Sequence, residues 1–192
     1  MRLAQTLTSG IVLVLATTVC NAELPTYVAD PTASSVAFTG SQEGLAFTGN
    51  FSEFSTRIEF DPENLAGSRI SAQVATASAD TDNEDRDTLL VGNDWLASML
   101  WPTANFVSTA ITSTNIPGQF VATGNLTLRD VAQAVALTFS ITNSPEQPEA
   151  KRFAGTMKVQ RLNFGVGRGD WADTRWVADD VAITIDLLLM PE

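Results

Sequence analysis

Phe120, Ala122, Gly124, Leu126 and Leu128 fall at every second position before a short polar break. Val135, Leu137, Phe139 and Ile141 do the same after it. Side chains alternate between the two faces of a strand, so this pattern predicts an antiparallel hairpin with one apolar face. Arg129-Asp130 supplies the turn. A slip of one residue would carry every large side chain to the wrong side, so the register is strongly specified. The other face carries Val121, Thr123, Asn125 and Thr127, then Ala134, Ala136, Thr138 and Ser140, and is only mildly polar. A sheet of this kind can curl around an apolar interior. No catalytic group sits in the hairpin.

The rest of the chain repeats the theme. Strands are predicted over 26–30, 35–39, 45–51, 57–61, 69–78, 104–112, 119–128, 134–142, 152–160 and 180–189. The last is the cleanest, with Val181, Ile183, Ile185, Leu187 and Leu189 on one face. Gly49 reads as a bend or bulge. Asp61-Pro62-Glu63-Asn64 is a turn signal. One segment departs from the pattern. Residues 80–100 are acidic, then helical in spacing, with Leu89, Leu90, Trp95, Leu96 and Met99 as the apolar positions. Asp82 or Asn83 can cap the helix start, and the acids after it suit the helix dipole. Gly92-Asn93 divides the segment into two short helices, and Trp101-Pro102 ends it. Many strands with one helical insertion point to an all-β fold, an extended antiparallel β-barrel with a short helical insertion.

Residues 1–22 read as a signal peptide. Arg2 precedes a mostly apolar run from Leu7 to Val19, too short to span a bilayer comfortably. Cys20 and Ala22 suit cleavage before Glu23. Lipid attachment at Cys20 is the alternative, although Val19 is not the small residue such a signal prefers. The domain expectation is therefore a signal peptide over 1–22 and one barrel over 23–192, periplasmic and soluble once cleaved. The protein has no His, and Cys20 is its only Cys. That excludes Ser-His triads, His-ligated metals, and disulfides within 23–192. No enzyme is expected, and no metal site. The whole chain carries 11 basic and 22 acidic residues. Such a balance argues against nucleic acid and against docking on anionic lipid.

Three local patterns need weighing. Asp80-Thr81-Asp82-Asn83-Glu84 begins like a calcium loop, but its sixth position is Asp85 and its twelfth Val91, so a solvated helix start is preferred. Gly165-Val166-Gly167-Arg168-Gly169 has the glycines of a phosphate loop without a helix after it, which favours an inter-strand loop. Arg161 stands where a strand meets that loop. It could meet a phosphate or quinone oxygen, or pair with a nearby carboxylate. Lys158, Arg168 and Arg175 are the next cations in line.

Several segments, in order, resemble the YceI-like family of exported lipid-binding proteins. Tyr27-Val28-Ala29-Asp30 is similar to its opening strand, Gly49 to Phe54 to its G-x-F-x-x-F segment, and Ile58 to Pro62 to the strand that follows. Trp95-Leu96 through Trp101-Pro102 to Ser108 resembles its helix, proline and F-x-S strand. Gly124 to Val131 resembles its G-x-L-T turn, with Asp130 in place of Gly, and Arg161-Leu162-Asn163-Phe164-Gly165 its R-x-x-F-G motif. Many members carry a His near the first strands, where this chain reads Ser41-Gln42-Glu43-Gly44-Leu45.

The resemblance implies a lipocalin-like barrel that holds an isoprenoid lipid, a polyprenyl phosphate or an isoprenoid quinone, with no covalently bound cofactor. Phe38, Phe51, Phe106, Phe139, Phe164 and Trp95 would line the channel, with Ala122 and Leu126 facing it and Arg161 at the head of the ligand. Gly49, Ala72, Ala122, Gly124 and Gly155 would keep it open. Taken singly, each aromatic reads first as core packing. Some relatives are linked to membrane di-haem b-type cytochromes, so a quinone-presenting role toward such a partner is the alternative function. Gly167 to Trp171 resembles that subgroup. The resemblance also leaves room for a homodimer.

Overall fold

The computed structural model describes residues 23–192. The expected signal peptide, its cleavage site and Cys20 lie outside the described residues. The strands are β1 (Thr26–Ala29), β2 (Ser35–Gln42), β3 (Leu45–Phe51), β4 (Phe54–Glu59), β5 (Arg69–Ala75), β6 (Ala79–Asp80), β7 (Thr103–Ser113), β8 (Gln119–Leu128), β9 (Val131–Asn143), β10 (Lys151–Gln160) and β11 (Asp180–Pro191). Between β6 and β7 stands helix α1 (Glu84–Val91).

Antiparallel pairing runs β1–β4–β5–β7–β8–β9–β10–β11 and returns to β1, closing an eight-stranded barrel. The ring extends on one side. β1 pairs with the end of β11, at Leu189 to Pro191, while β2 pairs lower on the same strand, at Ala182 to Asp186. β1 and β2 are one path interrupted by a 3-10 turn at Pro31–Ala33, which Asp30 caps by accepting from the Thr32 N–H. β3 and β4 are likewise one path broken at 52–53. β3 meets β6 only through Asn50 and Phe51. Farther along β3, Arg86 of α1 covers the ring of Phe47 at 4.5 Å.

The hairpin read from the sequence forms as β8 and β9, with Leu128 opposite Val131. Its two turn residues both have positive φ, 53° at Arg129 and 61° at Asp130. That is the twist a two-residue hairpin prefers, though usually with Asn or Gly in place. The Arg129 side chain compensates. It is buried, donates to the carbonyls of Trp95 and Gly165, and lies over the Trp101 ring.

The helix is shorter than its spacing suggested. Asn83 caps it, its Oδ1 accepting from Arg86 N–H at 2.9 Å, and Gly92 closes it. Gly92 ends the helix rather than dividing it, and residues 93–101 continue as turns. Trp95 and Leu96 are buried there, whereas Met99 is 93% exposed.

Gly49 is not a bulge. It sits in regular register opposite Phe38, and the irregularity falls between Ser108 and Ala110 of β7. The Phe38 ring occupies the space a Cβ at Gly49 would need, and the Phe47 ring does the same at Gly40. At Gly124 backbone as well as a ring closes the space. A Cβ there would lie 2.5 Å from the Val107 carbonyl oxygen and 2.8 Å from the Phe106 ring. Gly124→Ala should therefore cost roughly 1–3 kcal/mol, as overpacking does. A urea midpoint unchanged from the parent would contradict that packing.

Two apolar clusters fill the interior. One is built on Ile58, Phe60, Phe120, Ala122, Leu137, Phe139, Phe153, Leu187 and Leu189. Its rings interlock: Phe60 meets Phe120 edge-on at 5.0 Å, and Phe139 stacks on Phe153 at 5.1 Å. The other joins Phe38 and Ala79 to Leu90, Trp95, Leu96, Phe164, Val166 and Val177, binding the barrel wall to α1 and to the β10–β11 connection.

Candidate functional site

A cavity of about 190 Å³ draws its walls from both clusters. Every strand from β2 to β11 except β6 contributes inward-facing residues, as period-2 alternation requires. Leu90, Trp95, Leu96, Phe164, Val166 and Val177 cover it on the side of the helix. The wall is almost wholly apolar. Thr56 and Thr76 bring hydroxyls, and Arg161 is its one charged residue. The volume is below the roughly 300–1,000 Å³ of pockets for drug-sized ligands. It suits a slender chain, and a long one would have to displace flexible neighbours such as Met157 and Leu128.

Seven of the nine expected residues line this cavity: Phe38, Phe51, Trp95, Phe106, Leu126, Arg161 and Phe164. Ala122 and Phe139 do not. Ala122 is 0% exposed between Ile111 and Leu137, and Phe139 is 2% exposed within the aromatic cluster. The barrel is filled at their height. The small residues divide the same way. Ala72 lines the cavity, but the gaps at Gly49, Gly124 and Gly155 are taken by the rings of Phe38, Phe106 and Phe153. Those glycines seat aromatic rings and do not hold space open.

Sequence reasoning passed over Phe47, Leu90 and Val177 as lining residues. Phe47 lies in a predicted strand with apolar alternation and was open to detection. Leu90 belongs to the helical insertion and Val177 to an aperiodic connection, where no strand pattern points inward.

Arg161 is 3% exposed, and its five N–H groups are all spent. Nε donates to Ala178 O at 3.0 Å. Nη1 donates to Val166 O at 2.9 Å and Gly167 O at 3.0 Å, and Nη2 to Trp171 O at 2.7 Å and Val177 O at 2.8 Å. Burial pushes the guanidinium pKa down, and Asp179 pulls it back up. The side chain also lies over Trp95 at 5.4 Å. No donor remains for a ligand head, so the expected anchoring role is replaced by another: Arg161 fastens the β10–β11 connection over the cavity. Neither did it take a carboxylate as its hydrogen-bond partner. The glycine-rich loop turns its carbonyls inward to Arg161, the reverse of a phosphate loop, which presents N–H groups.

The other cations are also placed. Lys158 pairs with Asp180 at 3.3 Å. Arg175 pairs with Asp173 at 2.6 Å, and its hydrogen bonds hold the Asp173 carboxyl down to about 2. Arg168 is exposed beside Gly165. The acidic stretch is a helix start: Asp87 accepts from Thr81 N and Oγ1, and Asp80 from Asp82 N.

Comparison with known proteins supports the same architecture. The model of the YceI-like domain family matches residues 27–189. A UPF0312 protein of Vibrio cholerae is 26% identical over 137 residues, covering 69% of this chain and 72% of its own. One from Vibrio parahaemolyticus is 28% identical over the same shares. Among solved structures, BcnA of Burkholderia cenocepacia gives a TM-score of 0.78 at 29% identity, covering 83% of this chain and 98% of its own. A polyisoprenoid binding domain from Saccharophagus degradans gives 0.68 at 12% identity, covering 88% and 99%, and shares the fold.

Proposed function

We propose that this chain, which belongs to the YceI-like family, is an exported carrier that holds an isoprenoid lipid in its barrel cavity. The observation that carries this reading is the wall: almost wholly apolar, with its single charge already saturated by backbone carbonyls. Its two hydroxyls are engaged with backbone: Thr76 Oγ1 donates to Trp101 O at 2.8 Å, and Thr56 Oγ1 accepts from Ala29 N–H at 3.1 Å. Such a wall binds by removing apolar surface from water, worth roughly 25 cal/mol per Å². The fold shared with a polyisoprenoid binding domain supports a prenyl chain as the occupant. A second reading keeps the cavity and makes the lipid a quinone presented to a membrane di-haem b-type cytochrome. It is favoured by the exposed Trp176, whose carbonyl accepts from Glu43 N–H beside the still more exposed Leu45.

Both readings are tested on protein recovered from the exported fraction. Native mass spectrometry should find a chain beginning at Glu23 that carries an organic-extractable mass fragmenting at isoprene intervals. A diacylated Cys20 would overturn the soluble carrier. A straight-chain fatty acid, or no lipid, would overturn the isoprenoid assignment.

A further inference from the structure

The barrel ladder is broken at one place beside the cavity. β9 and β10 pair from Asn143 with Lys151 to Thr138 with Thr156, and then part. Each stays paired on its other side, β9 with β8 as far as Val131 and β10 with β11 as far as Gln160. Residues 131–137 of β9 therefore face residues 157–160 of β10 across a slit without a ladder. Backbone groups on both banks are open. The two-residue turn makes Leu128 and Val131 a hydrogen-bonded pair, so alternation turns the N–H and C=O of Ala132, Ala134 and Ala136 away from β8. Lys158 and Gln160 turn theirs toward the slit from the other bank, and none of these groups finds another backbone partner among the described residues.

The slit has firm ends and a soft middle. One end is the last ladder pair. At the other, Arg129 donates to Gly165 O at 2.6 Å, and Gln133 Nε2 donates to Asn163 O at 3.4 Å. Between these ends the wall is made of side chains. Leu128 and Leu137 line the cavity from one bank, Met157 and Val159 from the other. Val135, Met157 and Val159 point inward yet are only half-buried, whereas Leu137 is 2% exposed. Open strand edges are usually guarded by charge or proline. On β9 this edge carries three exposed alanines instead.

We propose that this slit is the door of the cavity, and that an isoprenoid chain enters and leaves sideways between β9 and β10. The inference rests on the carrier reading above. Both ends of the barrel are closed more firmly. At one, Phe60, Phe120, Phe139 and Phe153 fill the interior. At the other, Trp95, Leu96, Val166 and Val177 cover the cavity, and Arg161 fastens that cover through five carbonyl bonds. Lifting the cover breaks hydrogen bonds from a charged donor, the stronger kind. Widening the slit breaks no ladder bond and only the long Gln133 contact, with Arg129 left as a pin. Met157 is unbranched and adaptable, so it can swing aside while the chain passes.

The test ties the slit shut. A continued ladder would set Ala136 opposite Lys158 and Ala134 opposite Gln160, all four exposed. Each pair is replaced by cysteines in the full chain carrying Cys20→Ser, so that the introduced thiols are the only ones. A short bis-maleimide bridges them, and N-ethylmaleimide modifies both without bridging. A radiolabelled headless isoprenoid hydrocarbon is delivered from cyclodextrin and counted in the protein fraction after gel filtration at successive times. The bridged forms should load at least about tenfold more slowly than the N-ethylmaleimide forms, as a gated entry requires. Bridging after loading should slow release by a similar factor and leave the amount bound unchanged. Thermal melting checks that bridged and unbridged forms are equally folded. Equal loading rates for the two forms would overturn the door and leave the carrier standing. No loading of the parent chain would overturn the carrier reading as well.

Discussion

Arg161→Met is expected to destabilise the domain by roughly 3–5 kcal/mol, the cost of breaking a buried charged network on one side. The substitution keeps the hydrocarbon stem and removes five donors. The carbonyls of Val166, Gly167, Trp171, Val177 and Ala178 lose their partner together. A hydrogen bond to a charged group contributes roughly 1.5–3 kcal/mol, but these five act as one unit and their effects do not add. In a domain of this size the loss corresponds to a fall in Tm of about 10 °C. Hydrogen exchange should show residues 161–178 losing protection first, since all the orphaned carbonyls lie there. Lipid binding should weaken for every ligand alike, because Val166 and Val177 line the cavity and move with that connection. A loss under about 1 kcal/mol, or weakening confined to ligands with a polar head, would contradict this role.

Arg161 also shows where the sequence stops being legible. Its position after a strand and before a glycine-rich loop marked it as unusual. Nothing in the spacing could show five carbonyls converging on it from that loop. The nearest signal is the glycine pair that follows. Gly165 and Gly167 both have positive φ, and a Cβ on Gly167 would collide with the Arg161 guanidinium. A cation wrapped by its own loop requires glycine where the backbone passes close. The lack of a following helix pattern already set this loop apart from a phosphate loop, but no spacing announced the cation it wraps. The strands were far more open to reading. Period-2 alternation in β8, β9 and β11 fixes which face turns inward, and the barrel follows from burying those faces. Segment breaks were harder. β6 has only two residues, Ala79 and Asp80, too few for any periodicity.

Height within the barrel is the remaining gap. Ala72 and Ala122 look alike in sequence: both are small inward residues of long alternating strands. The structure separates them. Ala122 lies among close-packed side chains, while Ala72, beside Thr56 and Phe106 in the ladder, faces open space. What decides this is which aromatics arrive at each level from strands distant in the chain. Phe60, Phe120, Phe139 and Phe153 meet at one level, and no local pattern announces the meeting.

A paired substitution turns that separation into opposite results. Ala122→Trp should lower stability by about 3 kcal/mol or more, because the ring can enter the packed cluster only by forcing neighbours off their rotamers. Whatever protein remains folded should still carry lipid, since Ala122 itself does not line the cavity. Ala72→Trp should cost less than about 1 kcal/mol, because the ring enters a cavity of about 190 Å³ rather than a filled core. It should lower lipid binding at least tenfold, the ring occupying the volume the prenyl chain would fill. Urea unfolding and bound lipid per folded chain read the two effects separately. Should Ala72→Trp unfold the protein while Ala122→Trp merely displaces lipid, the open and filled levels would be the reverse of those described, and the carrier would have to hold its ligand on the Phe139 side of the barrel.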